Sequence, residues 1–342
     1  MEYGAIDLHK RRSQIRIVDC DGGVVLERKV ETSRSDLDRV FAARAAMRIV
    51  IESSTESEWV AQQLEALGHD VIVVDPNYAP MYGSRSRRVK TDRRDAAALA
   101  EACRMGIYRR AHRASAAARD LRRRMRVRSQ LVRQRSQTIS ALRALLRQEG
   151  LGVASGSAER ILKRLDQIAV PKTLAAVIAP LRAVITHLNT LLVDVDTALD
   201  ERSIADPVTQ HLMTVPGVGP VVALTFQAVM DTPARFGGDA GRASAFLGLI
   251  PSENSSADRH HKGSITKAGP RELRALLVQA SWVIWRGRSA AGAALRAWAH
   301  ALAARRGRRI AVVALARRLS RILYALWRDD QDFRASTVVP VA

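Results

Sequence analysis

The chain has 342 residues, with 55 Lys and Arg against 34 Asp and Glu for a formal charge of +21, and it is 47% hydrophobic but only 4% aromatic. That apolar content excludes disorder over most of the chain and supplies cores for two or three domains. A positive excess of this size calls for a polyanionic partner, nucleic acid first.

Only seven of the cations are Lys, so the charge is almost entirely Arg, whose planar guanidinium forks onto phosphate oxygens as an ammonium cannot. Cys20 and Cys103 stand far apart with no ligand spacing, which argues against a disulfide framework or a zinc module. The first residues, Met1-Glu2-Tyr3-Gly4, lack a signal-peptide pattern. The most apolar stretch, Gln167 to Leu199, is interrupted by Lys172, Pro180, Arg182, His187 and three aspartates. The expectation is a soluble bacterial cytoplasmic protein with no membrane partner, acting at the nucleoid.

In chain order, Tyr3 to Leu8, Gln14 to Val18 and Val24 to Val30 are short apolar runs, and Asp19-Cys20-Asp21-Gly22-Gly23 makes a turn between the last two. These predict a three-stranded meander. A helix follows from about Ser35, then a strand Met47 to Glu52, a helix Glu58 to Leu67, a strand Val71 to Val74 and a helix Thr91 to Met105. The order β-β-β-α-β-α-β-α is that of an α/β ribonuclease H-like (RuvC-like) domain, here assigned to residues 1–106.

Residues 107–204 form a basic helix and coiled-coil segment in this reading. Between Arg104 and Arg147 there are fourteen arginines and one acid, Asp120, with Met125, Val132, Ile139 and Leu146 recurring every seven residues. Arg122, Arg123 and Arg124 in this stretch are candidate phosphate contacts. Leu174, Ile178, Leu181, Ile185, Leu188, Leu192, Val195 and Leu199 continue as a cleaner seam, which Pro180 either starts or kinks, and Gly150 to Gly156 is a hinge between the two helices. The seam fits an intramolecular helical hairpin and an oligomerising coiled coil equally well. Shorter helices with Gly/Pro turns predict a mostly α C-terminal domain over 205–331, and 332–342 is a polar tail.

Four carboxylates are candidates for chemistry. Asp7 lies in the first strand, Glu52 ends the fourth, and Asp92 and Asp95 stand three apart at a helix start, on one face. In a ribonuclease H-like sheet the first and fourth strands are neighbours, which sets Asp7 beside Glu52. Clustered acids hold a hard cation, Mg²⁺, that activates phosphate chemistry. Asp92 and Asp95 are equally readable as ordinary first-turn residues. Arg85, Arg87, Arg88 and Lys90, in the segment before that helix, put positive charge beside the acids.

Val215-Pro216-Gly217-Val218-Gly219-Pro220 resembles a helix-hairpin-helix turn, whose glycines, Gly217 and Gly219, let backbone amides approach a phosphate; a tight packing turn is the alternative. A long polar loop follows Pro251, with Ser252, Ser255, Ser256, His260, His261 and Lys267. Its serines are candidate nucleophiles on phosphorus, with cations nearby to stabilise developing charge.

Taken together, Gly4-Ala5-Ile6-Asp7-Leu8-His9-Lys10, Ile51-Glu52, Lys90-Thr91-Asp92-Arg93-Arg94-Asp95-Ala96, the Pro-Gly-Val-Gly turn, Gly248-Leu249-Ile250-Pro251 and Lys267-Ala268-Gly269 through Leu273-Arg274 resemble the transposases of the insertion-sequence-110 family, the bridge-RNA-guided recombinases. The resemblance implies a RuvC-like DEDD domain in which Asp7, Glu52, Asp92 and Asp95 hold Mg²⁺, and a serine nucleophile at Ser256, with Ser255 the runner-up. The family usually has Gly directly after that serine, where this chain has Ala257, and often a polar residue where it has Pro270. It further implies donor and target duplex DNA and a non-coding bridge RNA as partners, and a homo-oligomer of two to four subunits, with the acids of one subunit and the serine of another meeting on DNA. A Mg²⁺-dependent Holliday-junction-type endonuclease using water, and a basic architectural protein, are the competing expectations.

Overall fold

The short apolar runs that predicted the meander build the sheet, and its central strands are buried on both faces. The computed structural model describes residues 1–82, 91–256 and 259–335, and of these the side chains of 82, 254–256 and 259–262 are outside the description. The chain divides into two units, Met1–Arg113 and Ala114–Ala342.

In the first unit β1 (Tyr3–Asp7), β2 (Arg12–Val18) and β3 (Val24–Glu31) are antiparallel, and β4 (Arg48–Glu52) and β5 (Asp70–Val74) extend the sheet in parallel with β1. The strand order is β3-β2-β1-β4-β5, a mixed sheet that matches the expected topology. Side chains alternate between its faces. Ile6, Ile15, Ile49 and Ile51 pack with Leu37 and Phe41 of α1 (Arg34–Phe41) and Val60 and Leu64 of α2 (Ser57–Ala66). Ala5, Val50, Ile72 and Val74 pack with Leu99, Ala100 and Cys103 of α3 (Asp92–Met105). By the same alternation Asp7 and Glu52 belong to the α3 face. Helix α3 starts where Thr91 Oγ1 accepts the amide of Arg94, and it stops at Gly106, which takes the left-handed conformation.

Among the described residues the second unit is helical apart from one hairpin. Helix α4 (Ala116–Gln148) is followed by α5 (Ile161–Leu165) and α6 (Lys172–Ala205). The heptad seams meet each other: Ile139, Leu142 and Leu146 share a buried cluster with Ile178 and Ile185, and Leu121 and Met125 share another with Leu199. Arg128 pairs with Asp196 and Arg135 with Asn189, so the two helices run antiparallel. The seam is therefore closed within one chain. Helix α6 passes through the exposed Pro180, and the carbonyl of Ala176, which loses its partner amide there, lies on the exposed side as well.

Helices α7 (Pro207–Met213), α8 (Pro220–Met230), α9 (Ala240–Phe246), α10 (Arg271–Arg286), α11 (Ala293–Arg306) and α12 (Arg308–Asp329) enclose the largest core, centred on Phe226, Leu277, Leu319 and Tyr324. The Tyr324 hydroxyl donates to the Pro233 carbonyl at 2.7 Å, which satisfies the one polar atom of a buried ring.

One segment departs from the expectation of a polar loop. Residues Pro251–Ser256 and Arg259–Ile265 pair as an antiparallel hairpin, β6 and β7. No apolar alternation marks these strands, because the ladder is held by main-chain bonds and by its base. There Thr266 donates to the Ile250 carbonyl at 2.9 Å and Lys267 to the Gly248 carbonyl at 3.1 Å. The Arg274 guanidinium donates to the carbonyls of Leu247 and Ala268, both at 2.9 Å. Gly269 has φ +71°, and a Cβ there would sit 1.9 Å from the Phe246 carbonyl oxygen. Gly269→Ala is thus expected to cost about 2 kcal/mol or more in urea unfolding. Gly152→Ala, with open space around it, should stay within about 0.5 kcal/mol.

Candidate metal centre and nucleic-acid interface

The parallel register of β1 and β4, with Ile6 opposite Ile51, carries on to set Asp7 beside Glu52 at the ends of both strands. Asp7 is buried at 7% exposure and Asp95 at 6%, whereas Glu52 and Asp92 are half-buried. His9, just past the end of β1, turns back over the cluster. Its Nε2 lies 3.4 Å from Asp7 Oδ2 and 3.4 Å from Asp92 Oδ1. Lys29, projecting from β3, places Nζ 2.8 Å from Asp92 Oδ2. The ligand atoms of Asp7, His9 and Asp92 all fall within 4.8 Å of one another. Glu52, at the end of β4, and Asp95, in the first turn of α3, stand outside this closest group.

Two carboxylates and an imidazole at this spacing form a donor set that suits a divalent cation. A carboxylate as buried as Asp7 is costly, and a bound cation would add to the compensation its neighbours give. Sequence reasoning does not single out His9 or Lys29 as site residues. His9 has a signal in its place two residues after Asp7, beyond the strand end, where the pleat no longer dictates its direction. Lys29 has none, since its role depends on the antiparallel β2–β3 pairing that brings it to α3. Arg85, Arg87, Arg88 and Lys90 lie outside the described residues.

The Lys29 ammonium holds the Asp92 carboxyl below the usual carboxylate range, against a smaller opposing effect of burial, with His9 adding to the pull. A depressed folded-state pKa contributes stability above the unfolded value, about 4, and loses it as pH falls through the folded one. Lys29→Met should move the Asp92 titration up toward its ordinary value, read by carboxyl carbon NMR on metal-free protein. The Asp92 side chain is 42% exposed, so the change in overall stability is expected to be small.

The other predicted residues lie in the second unit. Gly217 has φ +80° and a Cβ there would lie 2.8 Å from the Ala280 carbonyl oxygen, so the turn between α7 and α8 is pressed against α10. Gly219 caps α8 ahead of Pro220 and has open space around its Cβ position. Lys267 is exposed, at the foot of the hairpin, with φ +56°. The backbone of Ser255 and Ser256 ends β6, where Ser256 pairs with Arg259; their side chains lie outside the description.

The three arginines of α4 differ in kind. The Arg122 guanidinium donates to the carbonyls of Ala228 at 2.7 Å and Val229 at 3.1 Å, and burial lowers its pKa. It closes the C-terminal end of α8, in the way cations satisfy terminal carbonyls. Arg124 pairs with Asp120 at 2.9 Å. Arg123 is exposed and open to a phosphate. A groove of about 540 Å³ runs between α4, α8 and α10 beside Arg128, Arg133 and Arg271, next to a hollow of about 420 Å³ lined by Arg126, Ser129 and Gln130.

Known families match both parts of this arrangement. Residues 5–150 match the DEDD transposase family of IS110 type, and residues 209–296 match the transposase family IS116/IS110/IS902. The chain is 29% identical over 335 residues to "Putative transposase y4pF/y4sB" of Sinorhizobium fredii, covering 96% of this chain and 84% of that protein. It is 26% identical to "Probable family 20 transposase" of Pseudomonas aeruginosa, covering 96% and 97% of the two chains. It is 27% identical to "Transposase for insertion sequence element IS1111A" of Coxiella burnetii, covering 96% and 90%. Two domain matches in the same order, with relatives alike over nearly their full length, place this chain in the IS110 family of insertion-sequence transposases.

Proposed function

We propose that this transposase cuts and rejoins donor and target duplex DNA with a serine nucleophile, Ser256, and a divalent cation, Mg²⁺, held by Asp7, Glu52, Asp92 and Asp95. The observation that carries the reading is the convergence of a buried Asp7 with Asp92 around His9, where the sheet face that carries Glu52 meets the start of α3, in which Asp95 is buried. The bound cation would neutralise charge on the phosphate oxygens and act as a Lewis acid.

The serine step balances simply. Ser256 Oγ attacks phosphorus, the Oγ–P bond forms as the P–O bond to one deoxyribose breaks, and the Ser256 proton passes to the departing oxygen, leaving a strand-end hydroxyl. A hydroxyl from the other DNA strand then attacks the phosphoserine, and Ser256 leaves with a proton, so no net hydrolysis occurs. In this reading the acids and the serine acting on one phosphodiester come from different subunits of a dimer or tetramer. A non-coding RNA pairs with donor and target, so the protein needs mostly backbone contacts. The exposed Arg123 and Lys267, the Gly217–Gly219 turn, and Arg85, Arg87, Arg88 and Lys90 supply such contacts. Arg122 acts through packing.

The reading is tested with Ser256→Ala, Ser255→Ala and Asp7→Asn in the full chain with its DNA and RNA. Ser256→Ala should abolish the covalent protein–DNA adduct and recombination, while Ser255→Ala keeps both. Asp7→Asn should lower cleavage by a factor of about 100 or more, in line with loss of a charge-stabilising group, and weaken Mn²⁺ binding measured by electron paramagnetic resonance. Cleavage retained in Ser256→Ala, with no adduct in the wild type, would instead identify an endonuclease that uses water.

A further inference from the structure

From Leu273 to Arg328 the chain has twelve arginines and no Asp or Glu, and it contains four of the five tryptophans. The only acids in α10, α11 and α12, Glu272 and Asp329 at their outer ends, cannot balance this charge. Some of these arginines serve the fold: Arg274 clamps the hairpin base, and Arg328 reaches the Gly238 carbonyl at 2.8 Å and pairs with Asp329. Others gather round aromatic rings near the surface. The guanidinium carbons of Arg286 and Arg308 lie 5.1 Å and 5.7 Å from the centre of the Trp282 ring. Trp282 meets Trp285 edge to face at 6.2 Å. On Trp285 lies the imidazole of His300, stacked at 4.0 Å with an interplanar angle of 13°. His300, Arg286 and Arg308 are exposed, and the neighbouring Val283 and Ile310 expose 57% and 58% of their surface.

A ring stack that ends on an exposed flat imidazole, with two guanidiniums alongside, matches both halves of a nucleotide. We propose that α10–α12 form a binding site for a single-stranded stretch of nucleic acid. One unpaired base stacks on the outer face of His300, extending the Trp285–His300 pair by a third plane, and flanking phosphates bind Arg286 and Arg308. Duplex DNA offers phosphates but keeps its base faces stacked on each other, so the ring platform selects unpaired strands. An acidic peptide would satisfy the arginines and leave the platform unused. The proposal rests on reading the protein as a nucleic-acid enzyme and is independent of Ser256.

The test is fluorescence anisotropy on the full-length protein, with a labelled single-stranded 12-mer, the same 12-mer carrying one abasic site at successive positions, and a duplex of equal length. His300→Ala should weaken single-strand binding about tenfold, as loss of one base–ring stack does, while duplex affinity and the salt slope stay unchanged. His300→Phe should restore binding. In wild type one abasic position should cost a similar factor, and in His300→Ala it should cost nothing further. Arg286→Ala with Arg308→Ala should reduce the log–log salt slope for the single strand by roughly 1.4, about 0.7 for each phosphate no longer neutralised. Equal single-strand affinity for wild type and His300→Ala, or failure of His300→Phe to restore it, overturns the site, as does displacement of the strand by polyglutamate with no abasic effect. Adduct formation is scored separately on duplex DNA, so a flat result at His300 removes the stacking site alone.

Discussion

The first unit depends on a carboxylate held where carboxylates are costly. Pairing β1 in parallel with β4 is favourable because it buries Ile6, Ile49, Ile51 and Val50 on the two faces of the sheet. The same register commits Asp7 and Glu52 to the α3 face at the strand ends. An acid buried that deeply is tolerated only with polar or charged partners in reach, and the His9 imidazole stands 3.4 Å from Asp7. The start of α3 adds to this: its unpaired amides favour negative charge, which suits Asp92 and Asp95 to the first turn whatever their further role. Sheet register and helix polarity thus converge on one acidic corner.

The second unit shows how a high arginine count divides into separate tasks. Helix α4 uses its apolar seam to pack on α6 and α8, Arg135 is buried against Asn189 and Glu159, and Arg122 is held at the end of α8. Counting cations along the helix therefore overstates what it offers to a polyanion. The cations around the groove between α4, α8 and α10 and the adjoining hollow, Arg126, Arg133 and Arg271, have no ion pair among the described residues, although Glu272 lines both spaces.

Much of this was legible from the residues alone, for identifiable reasons. Short apolar runs bounded by turn residues marked all five strands of the first unit, and the helix Thr91 to Met105 was read nearly at its observed ends. Asp7 stood out because an acid flanked by Ile6 and Leu8 in a strand is unusual, whereas Asp92 reads as an ordinary first-turn acid until α3 sets it beside Asp7. The hairpin after Pro251 was not, since Ser252, Glu253, Asn254, Ser255 and Ser256 carry no apolar alternation and its stability lies in main-chain bonds and in Arg274. The helix pair left two readings open, because a heptad seam records that a partner exists and not which chain supplies it. The structure supplies one partner, α4. Lys29 was invisible for a related reason: a contact made across 63 residues leaves no spacing to read.

That contact between Lys29 and Asp92 bears on how the acidic corner takes up a metal ion. The Lys29 ammonium already occupies one oxygen of Asp92, and the His9 imidazole stands by the other. A divalent ion held there shares Asp92 with that ammonium, and the repulsion between the two cations subtracts from its affinity. The lysine thus eases the crowding of like charges among the acids and weakens the grip on the ion in return.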